Sequence, residues 1–488
     1  MRVLAALLVN ALFNFLIGLI VARFLGPEEF GRFAVAVALG LTVQVALFDW
    51  IRLAALRFYS RATRRDEPEV RATLDVSYGV VVVILTVGAT LVLGFGPAFA
   101  LSPELIGLAL VATLVNGLFD YSTGLLRASF QDRLYARLVM VKNALALVLT
   151  AGGALIFHSA TMALVGSALS LGGAVVLIRS ALSDPASTLR VASAPLARHY
   201  LAYAAPIVTA NLFYLLIPFV NRVIVTKLFG FAETGQFSLA WDFGQRSLQA
   251  IGSALDAVLF QIAVAAHARD GAARAREQVA RNLGIVLAAM LPSAIGLWLI
   301  LPSIEQLIVP PEFRGPFDQY LTLLLPGLLA LSIASYGINP AFQIEKRTLP
   351  LILAAAVGCA GTPLFMLLVP VGNDASGLAL AQSCAYVVAL ALLVVLAVTR
   401  ADLRAPPLRD LLAAALGCAL LLASGLPLRR LEPGALTLVL QILCGAAAYG
   451  LVALACDLGG YRAEVMARAR GAMTKLPFGR DLFIDRKT

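Results

Sequence analysis

Charge is scarce in this sequence. Asp, Glu, Lys and Arg make up 14% of the 488 residues, while apolar residues reach 60% and mean hydropathy is +0.88. Soluble domains carry about 25% charged residues, so a water-soluble protein is excluded, and disorder, which needs the opposite balance, is excluded with it. Histidine is rarer still: His158, His199 and His267 are scattered over loops and span ends and offer no metal cluster. The five cysteines, Cys359, Cys384, Cys418, Cys444 and Cys456, lie in apolar runs without CxxC spacing. They read as small hydrophobes, neither a disulfide framework nor a zinc site. Walker A, GxSxG, HExxH and Rossmann glycine patterns are all missing. The sequence therefore predicts no enzyme, no cofactor and no nucleotide-driven pump.

What the chain has in abundance is apolar runs. A helix needs about 20 apolar residues to cross the hydrocarbon core, and lipid-exposed backbone must be helical to satisfy its amides. Fourteen such stretches occur, near 3–22, 33–56, 74–95, 105–126, 138–157, 162–180, 201–224, 236–262, 282–302, 319–341, 350–369, 376–399, 410–427 and 435–456. Ser102-Pro103-Glu104 offers a cap with proline at the first helical position. The first run follows Arg2 but no small-x-small cleavage site follows it, so it is expected to stay as a span. The expected fold class is an all-α polytopic membrane protein.

The net charge of +10 would by itself suit acidic partners. Its distribution says otherwise. Alternate loops and the tail hold about 29 of the 38 basic residues, Lys142 among them, and the opposite loops hold only Arg23, Arg32, Lys227, Arg314, Arg429 and Arg430. The positive-inside rule then places both termini in the cytoplasm, as an even number of spans requires. The basic face is expected to meet anionic lipid, not nucleic acid.

An internal repeat sharpens the picture. Arg23, Gly26, Glu29, Gly31, Phe33 and Ala36 return as Lys227, Gly230, Glu233, Gly235, Phe237 and Ala240, always 204 residues later. Both copies sit in a turn between two spans, which makes them a parallel repeat about an axis along the membrane normal. The expected organisation is an N-lobe of six helices over 1–180, a linker over 181–200, a C-lobe of six over 201–399, a helix pair over 400–456 and a basic tail over 457–488.

Ala22-Arg23-Phe-Leu-Gly26-Pro27-Glu-Glu-Phe30-Gly31 resembles the turn after the first helix of polysaccharide-type flippases of the multidrug/oligosaccharidyl-lipid/polysaccharide (MOP) exporter superfamily. Leu125-Leu-Arg127-Ala with Tyr135-Ala136 is similar to the family's loop between helices four and five, and Gly377-Leu-Ala-Leu-Ala381 to the opening of helix twelve. The resemblance runs to about residue 400. It implies a two-lobe transporter that carries polyprenyl-diphosphate-linked oligosaccharide, an exopolysaccharide or O-antigen repeat unit, between leaflets of the bacterial inner membrane. It also implies polysaccharide assembly proteins as partners. One departure is Asn221-Arg222, where family members often carry Asp-Arg late in helix seven.

Ionisable residues within spans are costly and mark functional positions. In the eighth span Asp242, Arg246, Gln249, Ser253 and Asp256 follow steps of four and three, one helical face. Arg246 lies roughly 15 Å deep at 1.5 Å per residue. It reads as a guanidinium clamp for the cargo diphosphate, as the partner of Asp242, or as both. Arg222 reads as an interface or hairpin ion-pair residue, and Arg52 as an interface anchor or a second lumen cation. Asn10 and Asn14 share a face, as do Asn116 and Asp120. Arg246, Arg52, Gln249, Arg222 and Asn14 are the candidate lumen residues. Asp49, Asp120, Asp242 and Asp256 are candidates for coupling to H+ or Na+, or for structural ion pairs. Three rival readings remain: a lipid II-type flippase, a cation-coupled multidrug exporter of the same superfamily, and a membrane glycan polymerase or ligase. The last usually needs a large outer loop, whereas the longest here is about 14 residues.

Overall fold

The computed structural model describes residues 2–95, 101–184, 187–345, 347–368 and 372–458; the tail from 459 and Lys346 lie outside them. Among the described residues there is no strand, and twelve helices are long and apolar enough to cross a membrane. Two of these are long enough for two crossings and break at a glycine. Arg2–Phe58 turns at Gly26 (φ 68°), giving α1 (2–25) and α2 (27–58). Phe231–Ile308 turns at Gly271 (φ 81°). Fourteen spans result.

The remaining elements follow in order. They are α3 (Pro68–Phe95), α4 (Pro103–Ala128), α5 (Asp132–Ala146) and α6 (Ala160–Leu177). Next come α7 (Ala194–Phe229), α8 (231–270), α9 (272–308), α10 (Pro316–Ile333) and α11 (Leu349–Leu368). The chain ends in α12 (Ser376–Arg400), α13 (Leu408–Arg429) and α14 (Ala435–Ala455). α5 and α10 continue beyond a wider π turn, at Leu147–Ala151 and Ala334–Ile338. Such turns open the backbone ladder and recur at functional sites. α7 begins within the stretch expected to be linker. The cap predicted for α4 is present: Ser102 accepts from the Leu105 amide, with Pro103 at the first position.

The repeat is visible in the backbone. Gly26 and Gly230 have nearly the same conformation, φ 68°, ψ 175° and φ 88°, ψ −179°. Only glycine adopts such a positive φ without strain. The two turns also pack against each other reciprocally. A methyl added to Gly31 would overlap the Phe231 carbonyl oxygen, and one added to Gly235 the Pro27 carbonyl oxygen. Pro27 and Phe231 are themselves 204 residues apart, so each contact has its image across the axis, as in an isologous interface. Arg32 lies over the Phe231 ring at 5.2 Å, and Phe30 meets Phe313 edge-on at 5.8 Å.

The repeated glutamates do the same work twice. Glu29 accepts from the Ala160 amide at 2.7 Å and Glu233 from the Ala375 amide at 3.0 Å. Each carboxylate holds the N-terminus of α6 or α12, where unpaired amides and the helix dipole favour negative charge. Tyr320 also donates to Glu233.

Candidate functional site

Behind this seal lies a cavity of about 720 Å3 with walls from α2, α4, α7, α8, α10 and α12. Leu328 and Tyr386 stand near its sealed end, where Trp241 stacks on Tyr386 at 5.7 Å. Polar groups line it toward the arginine-rich face, including Asp49, Arg52, Asp120, Asn339 and the exposed Gln343. A second chamber of about 650 Å3 lies between α1, α2, α5, α6 and α8. Val37, Arg246 and Gln249 line both.

Two of the cavity's cations are neutralised in place. Arg52 meets Asp49 at 2.6 Å, one turn away on α2. Arg222 meets Asp242 at 2.5 Å, α7 to α8, and its guanidinium also approaches the Ala34 carbonyl on α2 at 3.5 Å. Arg222 is 7% exposed, so this pair belongs to the seal and is not a snorkelling group. Asp242 therefore pairs with Arg222, not with Arg246. Intrahelical spacing of four made Arg246 look like the partner, but α7 brings a closer guanidinium.

Arg246 points elsewhere. Its Nη1 donates to the Asn14 carbonyl oxygen on α1, passing Gly18, where a Cβ would stand 3.3 Å from that nitrogen. Lys142, on α5, donates from Nζ to Asn14 Oδ1 at 2.7 Å and to Asn143 Oδ1 at 3.2 Å. Two cations thus converge on one neutral residue, and among the described residues neither forms an ion pair. Asp120 instead accepts from Gln44 Nε2 at 2.7 Å, and Gln44 Oε1 accepts from Asn116 at 2.8 Å.

The predicted stripe on α8 is partly in the site. Asp242, Arg246 and Gln249 line the first chamber and Ser253 the second, while Asp256 lines neither. Gly26, Glu29, Gly31, Gly230, Glu233 and Gly235 form the seal and its helix caps, away from the cavity's polar end. The Asn10 side chain lies outside the described residues. Lys142 was expected on the arginine-rich face, five residues into a span starting near 138. The helix instead starts at Asp132, which puts Lys142 about ten residues, or roughly 15 Å, along it. Asp132 in the first turn was the available signal.

A sequence model of the family described as "Polysaccharide biosynthesis protein" matches residues 20–309. The chain belongs to this family. That match spans both copies of the glycine turn and most of both chambers, though not the part of α1 before residue 20 that carries Asn14. No curated protein sequence matches the chain.

Solved structures show where the family's fold sits. The lipid II flippase MurJ in an inward closed conformation is similar at a TM-score of 0.70 and 14% identity, over 94% of this chain and 99% of that one. An inward-facing MATE family multidrug transporter of the MOP superfamily aligns at 0.54 and 15% identity, over 82% and 95%. The Vibrio cholerae MATE transporter VcmN aligns at 0.54 and 16%, over 83% and 97%. At these identities the likeness shows the fold that these transporters share.

Proposed function

We propose that this member of the polysaccharide biosynthesis family flips a polyprenyl-diphosphate-linked oligosaccharide from the inner to the outer leaflet of the bacterial cytoplasmic membrane. The observation that carries the reading is Arg246: a deep guanidinium, without a carboxylate partner among the described residues, shared by two chambers. An unneutralised cation within the membrane is costly unless an anion arrives, and Arg binds phosphate oxygens bidentately. The glycan occupies the inter-lobe chamber and the diphosphate lies at Arg246, with Gln249 beside it. The lobes over 1–180 and 201–399 rock about the Gly31–Gly235 contact to move the cargo. Both termini lie in the cytoplasm, where the arginine-rich loops meet anionic lipid and polysaccharide assembly proteins dock. Asp120, hydrogen-bonded but not ion-paired, is the coupling carboxylate of choice for H+ or Na+, ahead of Asp49 and Asp242, which are occupied by arginines.

The multidrug-exporter reading favours an anionic cavity for cationic drugs. The charged groups lining the two chambers are Arg52, Lys142, Arg222 and Arg246 against Asp49, Asp120 and Asp242, which is a cationic excess. The test is export of lipid-linked glycan in cells carrying Arg246→Ala, with membrane insertion checked by immunoblot. Loss of export with normal insertion is expected; undiminished export overturns the reading.

A further inference from the structure

We propose that Lys142, not Arg52, is the second cation of the cargo anion site and that it makes the site selective for two negative charges over one. The proposal rests on the reading of the cargo as a prenyl-diphosphate glycan and specifies how that cargo is recognised.

The argument is a count of charges. Arg52 and Arg222 each hold a carboxylate within 2.6 Å, so neither has charge to spare for a ligand. Arg246 and Lys142 share Asn14, one through its carbonyl oxygen and the other through its side-chain oxygen. Asn14 holds the two cations beside each other without neutralising either. Placing two like charges together in a low-dielectric interior is unfavourable. The arrangement becomes favourable when a ligand supplies two linked anionic groups. A diphosphate diester carries one negative charge on each phosphate and presents such a pair. A phosphate diester carries one charge and leaves one cation unanswered.

The second chamber lets the ligand reach both cations: Asn14, Lys142, Thr150, Ser167, Ser170 and Arg246 line it together, with apolar Phe15, Ile17 and Val21 on the α1 wall.

The probes are farnesyl-diphospho-glucose and farnesyl-phospho-glucose, with binding to the purified full chain in detergent measured by calorimetry. Lys142→Met should weaken diphosphate binding about tenfold or more, the scale of one lost hydrogen bond to a charged group. It should change monophosphate binding less than about twofold, and Lys142→Arg should restore the preference. Equal losses for both probes in Lys142→Met, or no loss, overturn the proposal. If Lys142→Met does not fold, Lys142→Gln, which keeps a polar side chain without the charge, decides: diphosphate binding within about twofold of wild type overturns it. A wild-type chain that binds neither probe refutes the cargo reading itself. By contrast, intact diphosphate binding that needs Arg246 but not Lys142 refutes only this proposal.

Discussion

Gly31→Ala tests the central mechanical feature, the reciprocal contact between the two turns. The added methyl would fall on the Phe231 carbonyl oxygen, a backbone atom that cannot rotate away. Overpacking a close interior contact costs about 1–3 kcal/mol. That cost applies only while the turns touch, so it shifts the equilibrium toward separated turns by roughly 5–150-fold. Gly235→Ala meets the Pro27 carbonyl oxygen in the mirror-image way and should shift the equilibrium by a similar factor. The shift is readable by double electron–electron resonance between spin labels at Glu28→Cys and Ala232→Cys, repeat-equivalent positions that both stand exposed beside the seal. The five native cysteines, of which Cys444 is exposed, are first replaced. Both alanine variants should enrich the longer-distance population. An unchanged distribution in folded protein, or a shift in one variant only, would refute the symmetric seal.

Other substitutions probe what holds the seal together. Asp242→Ala strands a nearly buried Arg222 and should cost about 3–5 kcal/mol in detergent unfolding, the usual penalty for breaking a buried pair. Replacing both partners, Arg222→Met with Asp242→Leu, should recover most of it, and failure to recover would show that the pair does more than balance charge. Glu29→Ala should destabilise by about 0.5–2 kcal/mol through loss of an N-terminal cap on α6. Glu233→Ala should cost more, because the Ala375 amide and the Tyr320 hydroxyl both lose their acceptor. Hydrogen exchange should quicken at the first turns of α6 and α12 respectively; faster exchange spread evenly over the chain would argue against a capping role.

Much of the architecture is legible without coordinates because the bilayer admits so few solutions. Helix length, the alternation of basic loops and the 204-residue offset each follow from one-dimensional periodicities. Gly26 and Gly230 could be recognised as a repeated pair because a positive-φ turn admits little else. Their companions Glu29 and Glu233 could not be given a role, since the amides they hold lie 131 and 142 residues away in the chain.

The site itself was only half legible. Helical phase put Asp242, Arg246 and Gln249 on one face, and that face does line the chambers. Phase says nothing about what stands opposite, so the sequence could not choose between Arg222 and Arg246 as the partner of Asp242. Lys142 was hidden by the length of its helix: a cation near the start of an apolar run looks like an anchor until the first turn is located at Asp132.

The sequence alone determined that this chain crosses the membrane about fourteen times, that its two halves repeat, and that its charge is sorted by face. Those properties depend on hydrophobic transfer and local backbone preference, which each segment expresses independently. Tertiary structure decided which cations are answered and which are not. That depends on how helices rotate and lean against one another, where a few ångströms separate an ion pair from a ligand site. The same close packing brings Gly31 and Gly235 together and leaves Arg246 and Lys142 facing open space.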